Sequence, residues 1–137
     1  MNNNKEKGML KEQINSKKQG DVGMGAAIAY FCKCGHTVSI PITDSQDYDL
    51  IVDIDNKLCR VQCKTTYHIG KYGIYKANLK VFGGNKSRQI DKRFDNTKVE
   101  YIFILCESTE MYLIPSNELR ATTSISLGKL YTKYKVN

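Results

Sequence analysis

Three polar residues in a largely apolar stretch have the types and the spacing that metal-assisted hydrolysis needs. Asp49 precedes the apolar residues 50–52, and Gln62 and Lys64 stand two positions apart farther along the chain. Carboxylate and amide oxygens are ligands for hard cations such as Mg²⁺, and an ammonium group beside them can stabilise or deprotonate an attacking water. We therefore predict that Asp49 and Gln62 bind Mg²⁺, with Mn²⁺ as an alternative, and that Lys64 acts on the water in phosphodiester cleavage.

These residues are expected to lie on two strands that a tight turn joins into a hairpin. Residues 48–64 read YDLIVDIDNKLCRVQCK, in which β-branched and apolar residues flank the turn sequence DNK. Side chains alternate along a strand, so residues two positions apart share one face. Residues opposite or diagonal across a strand pair lie about 5 to 8 Å apart. The pattern therefore predicts that Asp49, Gln62 and Lys64 face the same side of the sheet.

The remaining pattern predicts a mixed sheet with helices packed on it. Apolar residues recur at helical spacing between Asp21, interpreted as the N-cap, and Gly35, where the helix is expected to end. Residues 70–98 are predicted to form a strand, a glycine-led loop and a short basic helix. Three further strands are predicted, at 36–42, 100–106 and 110–115. The fold class is therefore α/β or α+β, with a mixed central β-sheet flanked by helices.

Positive charge is concentrated in the middle of the chain. The formal net charge is +7, and between residues 60 and 98 ten basic residues stand against two acids. A nucleic-acid backbone fits this pattern better than an ordinary solvated surface, because each neutralised phosphate releases counterions and interleaved tyrosines can pack on sugar or base. The residues predicted to contact DNA are Lys17, Lys18, Lys71, Tyr72, Tyr75, Lys76, Lys80, Lys86, Arg88, Lys92 and Arg93.

Length and composition limit the remaining possibilities. The 137 residues suffice for one core, which we place at 17–137, behind a flexible, polar and basic arm at 1–16. No apolar run approaches the roughly 20 residues that a membrane span needs. The five cysteines lie mostly in apolar stretches, which is typical of reduced thiols in a cytosolic protein. We expect a cytoplasmic protein with no membrane partner and no small-molecule cofactor.

The hairpin sequence resembles the PD-(D/E)XK nuclease superfamily. In YDLIVDIDNKLCRVQCK, Asp49 corresponds to the first acid, Gln62 to the (D/E) position, Cys63 to X and Lys64 to the lysine. KKQGDVGMGAAIAYFCKCGHTVSIPI is similar to the leading helix and first strand of the superfamily, and VEYIFILCESTEMYLIPSNEL is similar to the strand pair after the motif. The likeness covers about 17–119. It is greatest to the compact group I intron homing endonucleases and more distant to archaeal Holliday junction resolvases.

This resemblance implies a restriction-endonuclease-like fold and a Mg²⁺-dependent endonuclease that hydrolyses phosphodiester bonds in duplex DNA. It also implies assembly into a homodimer or homotetramer. Family members usually have Asp or Glu where this chain has Gln62, and many carry a Glu on the leading helix where this chain has Met24. Asp21 lies three residues earlier, on nearly the same helical face, and is therefore expected to supply the missing catalytic carboxylate.

Three alternatives stay open at this point. Because Gln62 and Met24 stand where acids are usual, the chain also fits a DNA-binding module of nuclease fold that does not cut. The same motif fits a Holliday junction resolvase-like enzyme that acts on branched DNA. The basic surface alone fits an adaptor that binds RNA or an acidic protein. Metal-dependent cleavage of duplex DNA distinguishes the leading hypothesis from the first and the third.

Overall fold

A computed structural model describes residues 9–83 and 90–137, and its helix and strands follow the predicted mixed architecture. The helix α1 spans Ser16–Lys33. Along the described chain the strands are β1 (Thr37–Ser39), β2 (Leu50–Ile54), β3 (Lys57–Thr66), β4 (Lys76–Asn78), β5 (Val81–Gly83), β6 (Ile90–Lys92), β7 (Tyr101–Cys106), β8 (Met111–Pro115) and β9 (Ser124–Ser126).

The central sheet has five strands in the spatial order β1-β2-β3-β7-β8. Strands β3 and β7 are parallel, whereas the other three neighbouring pairs are antiparallel. The hairpin between β2 and β3 turns through Asp55 and Asn56, which both have positive φ, at 52° and 65°. Asp and Asn tolerate this conformation, and a turn of this type matches the twist of the two strands. The predicted hairpin and mixed sheet are therefore confirmed.

Helix α1 begins earlier than its sequence predicted. The N-cap is Asn15, whose side-chain oxygen accepts a hydrogen bond of 3.0 Å from the backbone N–H of Lys18. Asp21, predicted as the N-cap, lies inside the helix, because the Asn15 cap satisfies the free N–H groups one and a half turns earlier. Gly35 follows the helix with φ of +83°, a conformation that favours glycine, so the predicted helix end is confirmed.

One face of the central sheet is covered by α1. The buried face of the helix contains Gly23, Ala27 and Phe31. A Cβ atom on Gly23 would lie 2.5 Å from Cγ2 of Thr65, so only glycine allows the helix to approach β3 this closely. The apolar cluster on this face also contains Val61 of β3, together with Leu50, Val52, Phe103 and Leu105.

The segment before α1 belongs to this packed layer as far as it is described. Leu10 is fully buried in the same cluster. The backbone N–H groups of Leu10 and Lys11 donate hydrogen bonds of 2.9 and 3.2 Å to Oε2 of Glu107. Within the arm predicted at 1–16, residues 9–11 therefore pack against the domain instead of extending from it, because Leu10 supplies an apolar side chain to the core.

The other face of the sheet carries a second core. Strand β7 contributes Ile102 and Ile104 to this core, while Phe103 and Leu105 point into the α1 side. This burial on both faces explains why β7 is apolar at almost every position. Strands β4 and β9 pair in one small antiparallel sheet, and β5 and β6 pair in another. We call these four strands the second layer.

The segment 70–98 departs from its sequence-based expectation. The predicted single strand divides into β4 and β5, and in the described part of 83–98 the structure has strand β6 instead of a short basic helix. The reason is the shortness of the strands, since β5 and β6 are three residues each and carry too little alternation to be recognised from the sequence. Of the helices that the structure describes, none combines the length and the apolar character that crossing a membrane requires.

Candidate active site

The hairpin brings three predicted site residues to one face of the sheet. Leu50 pairs with Val61, and the N–H of Asp49 donates to the carbonyl oxygen of Val61 at 2.9 Å. Asp49 therefore lies across the hairpin from Gln62, and directly opposite residues of an antiparallel pair share a face. Lys64 is two residues beyond Gln62 and shares that face. It is the face opposite α1, because Val61 packs on the helix side.

The carboxylate of Asp49 is held by the returning strand. Its Oδ2 accepts a hydrogen bond of 2.7 Å from the backbone N–H of Cys63. Desolvation by burial raises the pKa of Asp49, while that hydrogen bond and the charge of Lys64 act in the opposite direction. Within residues 9–83 and 90–137, no hydrogen bond reaches Oδ1. One oxygen is thus fixed by the backbone and the other can accept a further ligand.

Gln62 presents a buried oxygen that protein groups leave unsatisfied. The residue is 7% exposed. Its Oε1 is the one buried side-chain nitrogen or oxygen without a hydrogen-bond partner in the part of the chain that the structure describes. Leaving such a group unpaired costs about 1–3 kcal/mol. An amide oxygen opposite a carboxylate is a suitable donor set for a hard cation, so these residues fit a divalent metal ion.

Lys64 extends from the same face toward the segment between β4 and β5. Its Nζ donates a hydrogen bond of 2.6 Å to the carbonyl oxygen of Lys80, in the segment between β4 and β5. Burial lowers the pKa of Lys64, and the negative charge of Asp49 opposes this shift. The ammonium group is therefore held in a fixed position beside Asp49, in surroundings that make loss of its proton easier than in water.

A cavity of about 420 Å³ opens beside Gln62. The lining residues are Asp47, Gln62, Lys92, Arg93, Phe94, Asp95, Lys98 and Val99. Oxygen ligands from Asp47 and Gln62 thus share one cavity with three cationic side chains, one at the end of β6 and two in the segment after it. A site of this composition can hold a cation and a phosphate together.

Sequence reasoning missed Asp47, which lines this cavity with Gln62. The available signal was its spacing of two from Asp49, but Asp47 lies three residues before β2 in an irregular segment, where alternation has no predictive force. Among the described residues, no group of three or more His, Cys, Asp or Glu side chains forms a metal cluster. A metal site at this position therefore depends on the amide oxygen of Gln62 as well as on carboxylates.

Comparisons with known proteins identify the family and the fold of the chain. The sequence profile of the PD-(D/E)XK endonuclease family matches residues 14–133. The chain belongs to this family. The superposition on a solved structure, described as the bacterial homing endonuclease I-Ssp6803I, has a TM-score of 0.74 and covers 88% of each chain, at 22% sequence identity. A search of curated proteins gives no significant match.

These comparisons confirm the resemblance drawn from the hairpin motif and the restriction-endonuclease-like fold. The chain is a nuclease, and PD-(D/E)XK nucleases generally use divalent metal ions. In this PD-(D/E)XK endonuclease the hairpin holds Asp49, Gln62 and Lys64, the residues predicted for the motif, on one face of the sheet, and Gln62 lines the cavity.

In this PD-(D/E)XK endonuclease the structure does not bring Asp21 to the other site residues. Asp21 is exposed on α1. Gly23, two residues later, faces Thr65, and two residues turn a helix by about 200°, so Asp21 points away from the sheet. Met24 packs in the apolar cluster under α1. The close approach of Gly23 to β3 sets the phase of the helix and separates Asp21 from the other site residues. The catalytic role of Asp21 therefore stays a prediction that this placement does not support.

The predicted DNA-binding residues of this endonuclease are distributed over several surfaces. Lys92 and Arg93 are exposed and line the candidate cavity. Lys76 is exposed on β4, and Lys80 is half-buried where its carbonyl oxygen meets Lys64. Lys86 and Arg88 lie outside the residues that the structure describes.

The remaining predicted contacts lie farther from the cavity. Lys17 and Lys18 are exposed on the first turn of α1, in the layer that covers the opposite face of the sheet. Lys71 and Tyr72 form a short 3-10 turn in which Tyr72 is 95% exposed. Tyr75 is half-buried and packs against the second core, so its ring has a structural contact of its own. DNA contact by these residues stays a prediction.

Proposed function

We propose that this nuclease cuts duplex DNA by Mg²⁺-dependent hydrolysis of phosphodiester bonds, in the manner of a homing endonuclease, with Mn²⁺ as an alternative ion. The observation that carries the proposal is the buried, unpartnered Oε1 of Gln62 opposite the carboxylate of Asp49. A hard divalent ion satisfies that oxygen and balances the carboxylate at once.

Asp49 and Gln62 would hold the ion, and Asp47, which lines the cavity with Gln62, would supply a further oxygen. When bound, the ion contributes Lewis-acid stabilisation of the charge that develops on the scissile phosphate. The basic side chains across the cavity, Lys92, Arg93 and Lys98, bind the phosphate backbone. These cations also offset the repulsion between the negative phosphate and the carboxylates of Asp47 and Asp49.

Lys64 orients the attacking water and exchanges a proton with it. Its Nζ is fixed by the carbonyl oxygen of Lys80, so the water meets a donor in a defined position. Burial lowers the pKa of Lys64, so at neutral pH a larger fraction of its amine is uncharged than in an exposed lysine. Asp49 limits this shift, and the balance between the two effects sets how much of the amine can accept a proton.

We assign the active form to a homodimer or homotetramer. A concerted cut through both strands needs two active sites, and the described part of one chain supplies one set of Asp49, Gln62 and Lys64. Size-exclusion chromatography with light scattering, with and without duplex DNA, measures this assembly. A chain that stays monomeric on a cleaved duplex contradicts it.

The proposed function is tested by cleavage of supercoiled plasmids that carry a randomised target library, with Mg²⁺, with Ca²⁺ and with EDTA. The wild type is expected to nick or linearise DNA with Mg²⁺ only. Three single variants, Asp49→Ala, Gln62→Met and Lys64→Ala, are expected to lose at least about 100-fold in rate, since each removes a group that acts in the transition state. Lys33→Ala, at an exposed position at the end of α1, is the control and retains full activity.

The contribution of Asp47 is tested separately by Mn²⁺ binding, measured by electron paramagnetic resonance. Asp47→Asn is expected to weaken binding about 3- to 10-fold, because it replaces a charged ligand by a neutral one. Asp44→Asn, at an exposed position in the same loop, leaves binding unchanged. If wild type and all variants are equally inert on linear, supercoiled and branched DNA, the proposal fails and a non-cutting DNA-binding module is favoured.

A further inference from the structure

A two-stranded ribbon next to the candidate site has a polar face that points outward. Strands β4 and β9 pair in antiparallel register, with Lys76 opposite Ser126 and Asn78 opposite Ser124. Pairing continues beyond both ends through hydrogen bonds from Leu79 to Thr123 at 2.9 Å and from Leu127 to Tyr75 at 2.8 Å. The inner face of the ribbon, Ala77 and Ile125, is buried in the second core. The ribbon is therefore fixed to the domain through its inner face, and its outer face has a rigid support.

The outer face consists of hydrogen-bonding side chains without an acid. Lys76, Asn78 and Ser126 are exposed, and Ser124 is half-buried. A groove of about 340 Å³ crosses this face, and its lining residues are His68, Lys76, Asn78, Lys80, Thr123 and Ser124. Side chains of this kind, with cations and no carboxylate, are complementary to a polyanion that also offers hydrogen bonds.

The ribbon is connected directly to the candidate site. The hydroxyl of Thr66, at the end of β3, donates a hydrogen bond of 2.5 Å to the carbonyl oxygen of Lys76. Lys64, two residues earlier, donates to the carbonyl oxygen of Lys80 just after β4. The two ends of the β4 segment are thus attached to the strand that carries Gln62 and Lys64. The ribbon and the candidate site are therefore attached to the same strand, β3.

We propose that the outer face of the β4–β9 ribbon enters the major groove of duplex DNA and reads base edges beside the cut. This inference rests on the proposed cleavage of duplex DNA and adds the element that selects the sequence. The major groove is about 12 Å wide and admits a two-stranded ribbon. In this arrangement Asn78, Ser124 and Ser126 contact bases, while Lys76 contacts the phosphate backbone.

Asn78 carries a specific preference. Its Oδ1 accepts a hydrogen bond of 2.9 Å from the backbone N–H of Lys80, which fixes the orientation of the amide. Its Nδ2 has no hydrogen bond within the part of the chain that the structure describes, and it points to the outside as a donor. In the major groove such a donor fits purine N7, guanine O6 or thymine O4, whereas cytosine presents only a donor. Asn78 therefore disfavours cytosine at the base that it contacts.

The test uses binding selection from a randomised duplex library with Ca²⁺, alongside cleavage of the same library with Mg²⁺. Asn78→Ala, Ser124→Ala and Ser126→Ala are expected to relax the preference at adjacent base pairs, by about 5- to 100-fold for each lost base contact. Lys76→Ala is expected to weaken binding to all sequences alike and to reduce the salt slope by about one. Ser39→Ala, at an exposed serine of β1, is the matched control and leaves the sequence preference unchanged.

The two readouts separate this inference from the function on which it rests. A wild type that binds selected sequences through Asn78 but cuts nothing supports the ribbon and overturns the cleavage proposal. If the wild type cuts DNA and the three ribbon variants keep its sequence preference, the role of the ribbon is overturned and the cleavage proposal stands. The role of the ribbon is also overturned if the three variants weaken binding to all duplexes equally, or if the protein binds single-stranded RNA more strongly than duplex DNA. Thermal unfolding of each variant checks that the fold is intact.

Discussion

The amide of Gln62 has opposite consequences for stability and for metal binding. Its Oε1 is buried and unpartnered in the protein itself. Gln62→Met keeps the volume of the side chain and removes this unsatisfied oxygen. We expect the variant to be more stable than the wild type by about 1 kcal/mol without divalent ions, and to lose cleavage. Urea denaturation in EDTA measures the first effect and plasmid cleavage the second.

Gln62→Glu is the control for this prediction. It restores an oxygen ligand with a charge, so Mg²⁺-dependent cleavage is expected to persist. Without metal, however, a second carboxylate is buried opposite Asp49 and repels it, so the free energy of unfolding falls. A methionine variant that cuts normally, or that is destabilised in EDTA, would show that Gln62 is an ordinary structural residue.

At the scale of elements, the contact of α1 with β3 depends on Gly23. Gly23→Ala places a Cβ atom 2.5 Å from Cγ2 of Thr65, on the strand that carries Lys64. We expect a loss of about 1–3 kcal/mol in unfolding free energy, because the helix or the strand must move. Gly25→Ala, with no atom within 4 Å of the added Cβ, is the matched control and gains about 0.5–1 kcal/mol.

A second variant tests the cause of this loss. Thr65→Ser removes the Cγ2 atom against which the added methyl group would collide. The double variant Gly23→Ala with Thr65→Ser should therefore recover most of the stability that Gly23→Ala loses, beyond the sum of the single effects. Urea denaturation of the four proteins provides the cycle. Simple additivity would mean that the contact between these two residues does not set the position of the helix.

A charged pair joins β3 to the start of β7 and gives a pH dependence. Arg60 donates hydrogen bonds to both carboxylate oxygens of Glu100, one of 2.8 Å, and its backbone N–H donates at 2.6 Å. The hydrogen bond from Arg60 lowers the pKa of Glu100. The stability from this pair is complete above the unfolded pKa of about 4.3 and is lost as pH falls through the lower folded pKa.

We therefore expect Glu100→Gln to reduce the unfolding free energy at neutral pH, and the difference from wild type to shrink as the pH falls below the unfolded pKa of about 4.3. Both side chains are partly exposed, at 38% and 28%, so salt is expected to reduce the effect. Denaturation curves over this pH range measure it, with Glu118→Gln at an exposed position as control. A difference that grows in acid would contradict the assignment.

The sequence was sufficient for elements whose signals are local. The faces of Asp49, Gln62 and Lys64 followed from strand alternation, since a hairpin with a two-residue turn fixes the register. The side of α1 on which Asp21 lies could not be predicted, because it depends on the contact between Gly23 and Thr65, which are 42 positions apart in the chain. Asp47 was missed for a related reason: it lies in an irregular segment, and only the folded chain places it beside the cavity.

On the scale of the whole molecule, the second layer was the least predictable part. The strands β4, β5, β6 and β9 are three residues each, and β4 pairs with β9, which lies far along the chain. Short strands carry little alternation, so composition alone led to the expectation of a basic helix in 83–98. The concentration of positive charge was nevertheless visible, since three of its cations, Lys92, Arg93 and Lys98, line the candidate cavity.

The segment before α1 tests where the folded unit begins. Leu10 is fully buried, and its N–H and that of Lys11 bind Glu107, just after β7. This segment therefore joins the helix layer to the parallel strand next to β3. Leu10→Ala is expected to reduce the unfolding free energy by about 2–5 kcal/mol, because it leaves a cavity between α1 and the sheet.

Ile14→Ala is the matched control, since Ile14 lies in the same segment and is 86% exposed. Its effect should stay within about 0.5 kcal/mol. Thermal or urea unfolding separates the two variants, and cleavage measured well below the transition should be equal for both, because neither residue belongs to the candidate cavity. Equal stability of the two variants would instead mean that the packed domain starts at α1, as the arm predicted at 1–16 requires.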